Sequence, residues 1–438
     1  MTVSAVAYYA LQASHHKDLV EALRKQHMRK RRHLHHPEDR YASLQIESSF
    51  VNPFEAWHTP SWKDDALYWL KRSWQSTFSG LPDTKDLDEA FPLHRPDFDR
   101  IFSSVGSASQ SCVDSEGSTS LQTTFTWLGQ STCLITLDGL MILTDPVFDD
   151  ALVFHKRARS LPCKLDAFVD KVDIVLISHD HADEHVVKQL GDSVTWYVPL
   201  GLRDWFVGCG VENVIELDWW QEVRHKERPE VIIASVPSMH SSGRWSFKKN
   251  QALWSNFVVR AKDESFFFCG ASGYDKDLFK AIGKVYAPLT LAALPIGGYM
   301  PRNVKKALHM DPAEALRTHH HLGCPRLSIG INWGTFVSSS TEPIMEPRSA
   351  LAQTLQKHPL PSPPSPEQLH ESTLTTTPAS PSSSSPTSLS SLSSSVKDDH
   401  KRKYHVNRTN STTEFITVSL GETICVANLG DDSCNPTS

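Results

Sequence analysis

A layered α/β fold, with helices covering sheets, is predicted by three observations. Apolar runs of strand length recur from Thr124 onward, turns part them, and helical stretches interrupt them. The strand-like runs are TFTWLG, STCLITLDG, MILTDPVF, VDIVLISH, VTWYVPLG, NVIELDWW, VIIASVPS, ALWSNFVVRA, ESFFFCGAS, LTLAALPIGG and PRLSIGINWG. Helices are expected in ADEHVVKQLGD at 182–192 and DPAEALRTHHH at 311–321, the latter with Asp311 capping before Pro312. Upstream, between Phe50 and Phe102, FVNPFEAWHTPSW and ALYWLKRSW are rich in aromatics and are expected to wrap over the core, the second with helical spacing.

Composition narrows the function classes. The chain has 438 residues, 39% hydrophobic and 21% charged, ordinary for a soluble protein with a sizeable core. A net charge of −6 gives no electrostatic case for nucleic acid. Apolar runs such as VDIVLIS at 172–178 are too short for a membrane span, and MTVSAVAYYALQ has no basic start of a secretory signal. The eight cysteines are scattered without a CxxC, which suits reduced thiols in a cytoplasmic protein.

Four regions follow. Residues 1–40 form a basic extension in which KDLVEALRKQHMRKRRHLHH, 17–36, reads as a short helix running into a basic, histidine-rich stretch. Attraction to an anionic membrane surface is one reading, and a solvated, poorly ordered terminus is the expectation. The main domain spans 50–350. From 361 to 400, 26 of 40 residues are Ser, Thr or Pro, so a disordered insertion is expected over 358–412. Beyond it, 413–429 alternates as TEFITVSLGETICVANL and is expected to be the final strand of the domain.

The segment that carries chemistry is ISHDHADEH, 177–185, directly after the strand VDIVL. His179, Asp180, His181 and Asp183 stand within five residues on a loop that enters a helix. Two imidazoles at i and i+2 with a following carboxylate can converge on one cation, and that donor set suits zinc or a similar first-row metal. The plainer alternative is a polar helix start with Asp180 or Asp183 as N-cap and exposed histidines.

A strand ending in H-x-H-x-D-H, a distant His, an Asp in a G-D-[ST]-G turn and a final His together form the metal signature of the metallo-β-lactamase fold. The chain also resembles the N-acyl-phosphatidylethanolamine-hydrolysing phospholipase D family within it. The matching stretches are FVNPF at 50–54, TWLG at 126–129, TDPVF at 144–148, VLISH at 175–179, VPLGLRDW at 198–205, NVIELDWW at 213–220, LAALPIGGY at 291–299, HMDPAEA at 309–315 and NWGTF at 332–336. The resemblance implies a four-layer αβ/βα sandwich, two zinc ions between the sheets, and hydrolysis of N-acyl-phosphatidylethanolamine to an N-acylethanolamine and phosphatidic acid.

The implied ligands do not all survive in this chain. His179, His181, Asp183 and, in VPSMHSSGR, His240 match the pattern. Glu184 stands for a His, Ala271 for the bridging Asp in GASG, and Asn332 for the last His, so three of seven positions are replaced. All three belong to the second zinc or the bridge, which leaves a single zinc on His179, His181 and His240 as the expectation. Recruiting His185 for the missing ligand would turn its side chain by about 100° around the helix. Asp183 is expected as a general base and His309, at the family's Q-H-x-D-P position with Leu308 for the Gln, as a phosphoryl contact. Three outcomes are compatible with this pattern: a phosphodiesterase of much reduced activity acting on phospholipid at a membrane periphery, a lipid-binding pseudoenzyme, and a hydrolase with another substrate such as a small ester or a nucleotide.

Overall fold

The computed structural model describes residues 3–59, 84–105, 122–149, 155–243, 249–337, 341–360 and 413–426, with a few positions between 61 and 70 and the pair 151–152. Most of ALYWLKRSW, the Ser/Thr/Pro-rich stretch 361–412 and residues 427–429 lie outside them.

Two seven-stranded mixed sheets build the domain. In the first, β1 (Thr124–Gly129), β2 (Thr132–Leu137), β3 (Leu140–Thr144), β4 (Ile174–Leu176), β5 (Thr195–Pro199) and β6 (Val214–Leu217) lie side by side in chain order. The pairing is antiparallel from β1 to β3 and parallel from β3 to β6. In the second, β7 (Glu222–Arg224), β8 (Ile232–Pro237), β9 (Ser255–Arg260) and β10 (Ser265–Phe268) pair antiparallel. β11 (Leu291–Pro295), β12 (Leu327–Ile331) and β13 (Glu414–Ile416) then extend it in parallel.

Side-chain alternation assigns the faces. Ile135, Leu137, Ile174 and Leu176 join Phe257, Leu294 and Ile331 in the core shared by both sheets, while Leu134 and Val175 point the other way. That outer face is covered by α2 (Glu184–Leu190), through Val186, Val187 and Leu190, and by Phe206 of α3 (Arg203–Gly208). On the second sheet lie α4 (Lys276–Tyr286) and α6 (Pro312–His321), with α5 (Arg302–Lys305) between them in sequence and α7 (Glu346–Lys357) packed on α6. Asp311 caps α6 as expected, its carboxylate accepting from Glu314 N at 2.8 Å while the Glu314 carboxylate accepts from Asp311 N at 3.1 Å.

Two expectations need correction. The last segment is two strands, not one: β13 joins the second sheet, and β14 (Thr423–Cys425) pairs antiparallel with β1 in the first. Gly421 makes the break, at φ 81° and so close to the His94 carbonyl that a Cβ would sit 2.0 Å from it. Period-2 alternation carries on through such a turn, so the pattern looks continuous. The basic N-terminus is also not a poorly ordered tail. It is one helix of 29 residues, α1 (Val3–Arg31), docked through Arg24 to the carbonyls of Asn52 and Phe54 at 2.9 Å each. Arg31 donates to the Ala42 carbonyl at 2.5 Å, and Arg32 pairs with Glu55 at 2.9 Å. Hydropathy treats arginine as a solvent-seeking residue, whereas a guanidinium with carbonyl partners anchors a helix. The FVNPF segment does wrap over the core, with Phe54 fully buried between Tyr41 and Trp219.

His319 of α6 pins the two sides of the 361–412 stretch together. Its Nδ1 meets Ser328 Oγ on β12 at 2.8 Å, and its Nε2 meets Thr413 Oγ1 at 3.1 Å. Burial first, then the neighbouring His320, hold its pKa down to about 3. The unfolded chain regains a pKa near 6.5, so it binds a proton that the folded chain refuses. Stability is therefore complete above about pH 6.5 and falls by ~1.4 kcal/mol per pH unit for this proton as pH drops toward 3. His319→Asn should flatten the slope of unfolding free energy against pH between 7 and 4 by about one proton. Urea unfolding across that range measures it, and an unchanged slope refutes the assignment.

Candidate metal centre

Loops after β3, β4, β8, β10 and α5 are joined at one end of the two sheets. Asp145, just after β3, reaches across to the loop after β4: its carboxylate accepts from Ser178 N at 2.7 Å and from Ser178 Oγ at 2.5 Å. Ser178 Oγ lies 2.7 Å from His179 Nδ1. With its own proton given to Asp145, the hydroxyl accepts from Nδ1–H, which leaves His179 Nε2 as the bare lone pair. Burial pushes the Asp145 carboxyl up to about 7, against the lowering effect of the two Ser178 bonds.

His240 follows β8 and is held in the same manner. Its Nδ1 donates to the Leu308 carbonyl at 3.1 Å, so Nε2 again carries the lone pair. Around it the loops are stitched together: Ser238 Oγ donates to the Ala271 carbonyl at 2.7 Å, Gly273 N to the Met239 carbonyl at 2.8 Å, and Met310 N to the Ser272 carbonyl at 2.9 Å. Gly243 N donates to Asp180 at 2.8 Å, which ties this loop to the one carrying His179.

The imidazoles form a continuous edge-to-face group. Ring centroids are 4.4 Å apart for His179 and His181, 5.0 Å for His179 and His240, and 5.5 Å for His240 and His309. Burial, and then mutual repulsion among the rings, depress His179 well below the usual imidazole range. Burial brings His240 to about 3, with His181 and Lys305 adding to it, and depresses His309 too, with Lys305 and His240 next. Neutral imidazole is the form that ligates metals. His181 is the exposed member, at the mouth.

Asp183 occupies the N-cap of α2. One carboxylate oxygen accepts from His185 N at 2.9 Å, and the other, Oδ2, is buried without a hydrogen-bond partner. Burial first and then the Asp149 carboxylate raise its pKa. So the N-cap reading and the ligand reading use different oxygens of one side chain. His309 Nδ1 is likewise buried without a partner, and its peptide is clamped by Arg302, which donates to the His309 carbonyl at 2.9 Å.

Glu184, Ala271 and Asn332 supply no second set of donors. Glu184 turns outward into a 2.6 Å pair with Lys188 on the exposed face of α2, so it is no substitute oxygen donor. His185 is exposed on the same helix. Ala271 is buried and presents only a methyl group. The Asn332 side-chain oxygen is taken by Gln130 Nε2, which removes it as a weak ligand. For one cation the donor set fits in kind: three imidazoles, two with Nδ1 fixed by an outer partner, and a carboxylate oxygen to spare. Among the described residues, however, no three His, Cys, Asp or Glu side chains stand so as to hold a metal as they are. The rings stand edge to face instead.

Several contributors escape a reading of the sequence by ligand spacing. Asp145 and Ser178 lie inside the strings TDPVF and VLISH, yet nothing in their spacing says that they meet. Asp149 reaches Asp183, and Lys305 lies near His240 and His309, only through the fold.

Comparisons with known proteins agree with this architecture. The description "Beta-lactamase superfamily domain" matches residues 141–333. N-acyl-phosphatidylethanolamine-hydrolyzing phospholipase D 1 of Caenorhabditis elegans is 34% identical over 299 residues, covering 64% of this chain and 79% of that one. The mitochondrial N-acyl-phosphatidylethanolamine-hydrolyzing phospholipase D of Saccharomyces cerevisiae is 31% identical over 342 residues, covering 71% and 72%. The chain belongs to this phospholipase D family. A metal-dependent hydrolase of Methanopyrus kandleri is 29% identical over 228 residues, covering 50% of this chain and 87% of that one.

Gly270 makes the Asp145–Ser178–His179 connection possible. A Cβ there would lie 2.2 Å from Ser178 Oγ and 2.8 Å from Asp145 Oδ2. Gly270→Ala should destabilise the fold by about 1–3 kcal/mol through overpacking and shift the His179 ring signals in a histidine-selective ¹⁵N spectrum. Unaltered stability and unaltered signals together would refute the tight contact.

Proposed function

We propose that the chain is a metal-dependent phosphodiesterase that hydrolyses N-acyl-phosphatidylethanolamine to N-acylethanolamine and phosphatidic acid, using one zinc and working at a much reduced rate. The observation that carries this reading is the surviving group His179, His181 and His240, with two rings held by Nδ1 so that Nε2 faces away from its anchor. In this reading those three histidines hold the zinc. Bound there, it supplies Lewis acidity for attack on a phosphodiester. A metal requirement is supported by the superfamily match and by relatives that are metal-dependent hydrolases.

The remaining residues divide the work by their chemistry. Asp183, with one oxygen unpartnered and its basicity raised, takes a proton from the attacking water. His309 offers an unpartnered ring nitrogen to a phosphoryl oxygen, and the Lys305 ammonium nearby balances phosphate charge. Lys305 also overlies the buried Tyr68 ring at 5.3 Å, and Leu67 and Leu70 beside it are 50% and 68% exposed. That apolar surface next to a cation supports a phospholipid as the partner and contact with a membrane periphery. Among the described residues no helix is long and apolar enough to cross a membrane.

The loss of rate follows from the second half of the centre. Ala271 offers no charge, Asn332 is occupied by Gln130, and Glu184 faces Lys188, so no side chain there stabilises the other phosphoryl oxygen. Each missing charge-stabilising group costs about 10²–10³ in rate where such groups have been removed from enzymes. The same observation favours a second reading, a protein that binds the lipid without cleaving it.

Vesicles containing N-acyl-phosphatidylethanolamine decide between the two. The expected result is slow release of phosphatidic acid, abolished by a chelator and by His240→Ala, with about one zinc per chain. Combining Glu184→His, Ala271→Asp and Asn332→His should raise the rate by about 10² or more. Lipid binding with no release, even with zinc added, would overturn the catalytic reading in favour of the binding protein.

A further inference from the structure

We infer that the N-terminal helix belongs to the scaffold of the metal centre: Arg24, acting through Asn52, is a positioning residue for His240. The chain of contacts is short and buried at each step. Arg24 is 4% exposed. Its Nε and Nη2 form a fork on the Glu21 carboxylate one turn back, at 2.7 and 2.8 Å, which neutralises the charge within the helix. The remaining corner, Nη1, points into the domain and donates to the carbonyls of Asn52 and Phe54, both at 2.9 Å. Only the planar fork of arginine serves both directions at once; a lysine ammonium cannot.

Asn52 carries the restraint onward. It is 1% exposed, and its Nδ2 donates to the backbone carbonyl of His240 at 2.7 Å. Its Oδ1 is buried without a hydrogen-bond partner. An amide that leaves its oxygen unpaired in the interior is costly, so the amide earns its position through the N–H it gives to His240. Phe54, wedged between Tyr41 and Trp219, keeps the segment from sliding. His240 is thus gripped twice, at its carbonyl by Asn52 and at its ring by the Leu308 carbonyl. With both ends fixed, the direction of Nε2 is fixed as well, and the grip on the carbonyl originates in α1.

The coupling has a consequence for zinc that rests on the reading of His240 as a ligand, and the test separates the two. Hydrogen exchange on the full-length, metal-free chain would follow the amides of Met239, Ser242 and Gly243, which are bonded to Ser272, Asn250 and Asp180. In Arg24→Met, Arg24→Lys and Asn52→Leu these amides should exchange about tenfold faster, the loss of roughly one hydrogen bond. Amides of β9 and β10 should keep their rates. Asn52→Leu leaves α1 untouched, so it answers even if the Arg24 variants fold poorly. In zinc titration the same variants should bind about 10–100-fold more weakly, as when an outer partner of a ligand is lost. Unchanged exchange at the three amides in Asn52→Leu, or uniform acceleration across loop and sheets in every variant, overturns the coupling. Faster loop exchange in a chain that takes up no zinc at all leaves the coupling standing and overturns the ligand reading.

Discussion

Crowding of imidazoles against one another favours their neutral form, and the rest of the site is arranged around that constraint. A proton on any of His179, His240 or His309 would place a cation among other rings and, for His240 and His309, near Lys305. Each neutral ring then has one N–H to place and one lone pair to aim. The neighbours decide which nitrogen takes which role: Ser178, backed by Asp145, for His179, and the Leu308 carbonyl for His240. The donor direction of the centre is therefore set by groups that would never touch a metal.

Those groups come from three separate loops, after β3, β4 and α5, and further loop-to-loop hydrogen bonds tie this end of the sandwich together. Ser238 to Ala271, Gly273 to Met239, Met310 to Ser272 and Gly243 to Asp180 link strands that are far apart in sequence. Gly270 allows the closest of these approaches, where any side chain would strike Ser178. The N-terminal helix adds a link from outside the sheets, through Arg24 and Asn52. Ala271 and Asn332 belong to the same scaffold. Ala271 accepts from Ser238 through its backbone, and the Asn332 side chain accepts from Gln130.

Much of the fold was legible beforehand. Strand-length apolar runs marked the sheet strands, since a strand covered on both faces reads as continuous hydrophobic sequence, as in Ile174–Leu176. Pro312 after Asp311 marked the start of α6. The two misreadings have a common cause. Alternation over 413–426 said nothing of the reversal at Gly421, and the charge of residues 17–36 said nothing of the carbonyls waiting for Arg24 and Arg31. Periodicity and charge are properties of a segment, whereas both outcomes depended on a partner elsewhere in the chain.

The same division holds for the centre. The local order of residues determined that His179, His181 and Asp183 would leave a strand and enter a helix together. Only the tertiary structure decided that His309 packs against His240, that Asp183 keeps one oxygen free while capping α2, that Glu184 turns to Lys188, and that α1 reaches His240 through Asn52. A side chain's type sets what it can donate or accept. Its direction and its partner come from the packing of distant strands, and no local stretch of sequence contains that information.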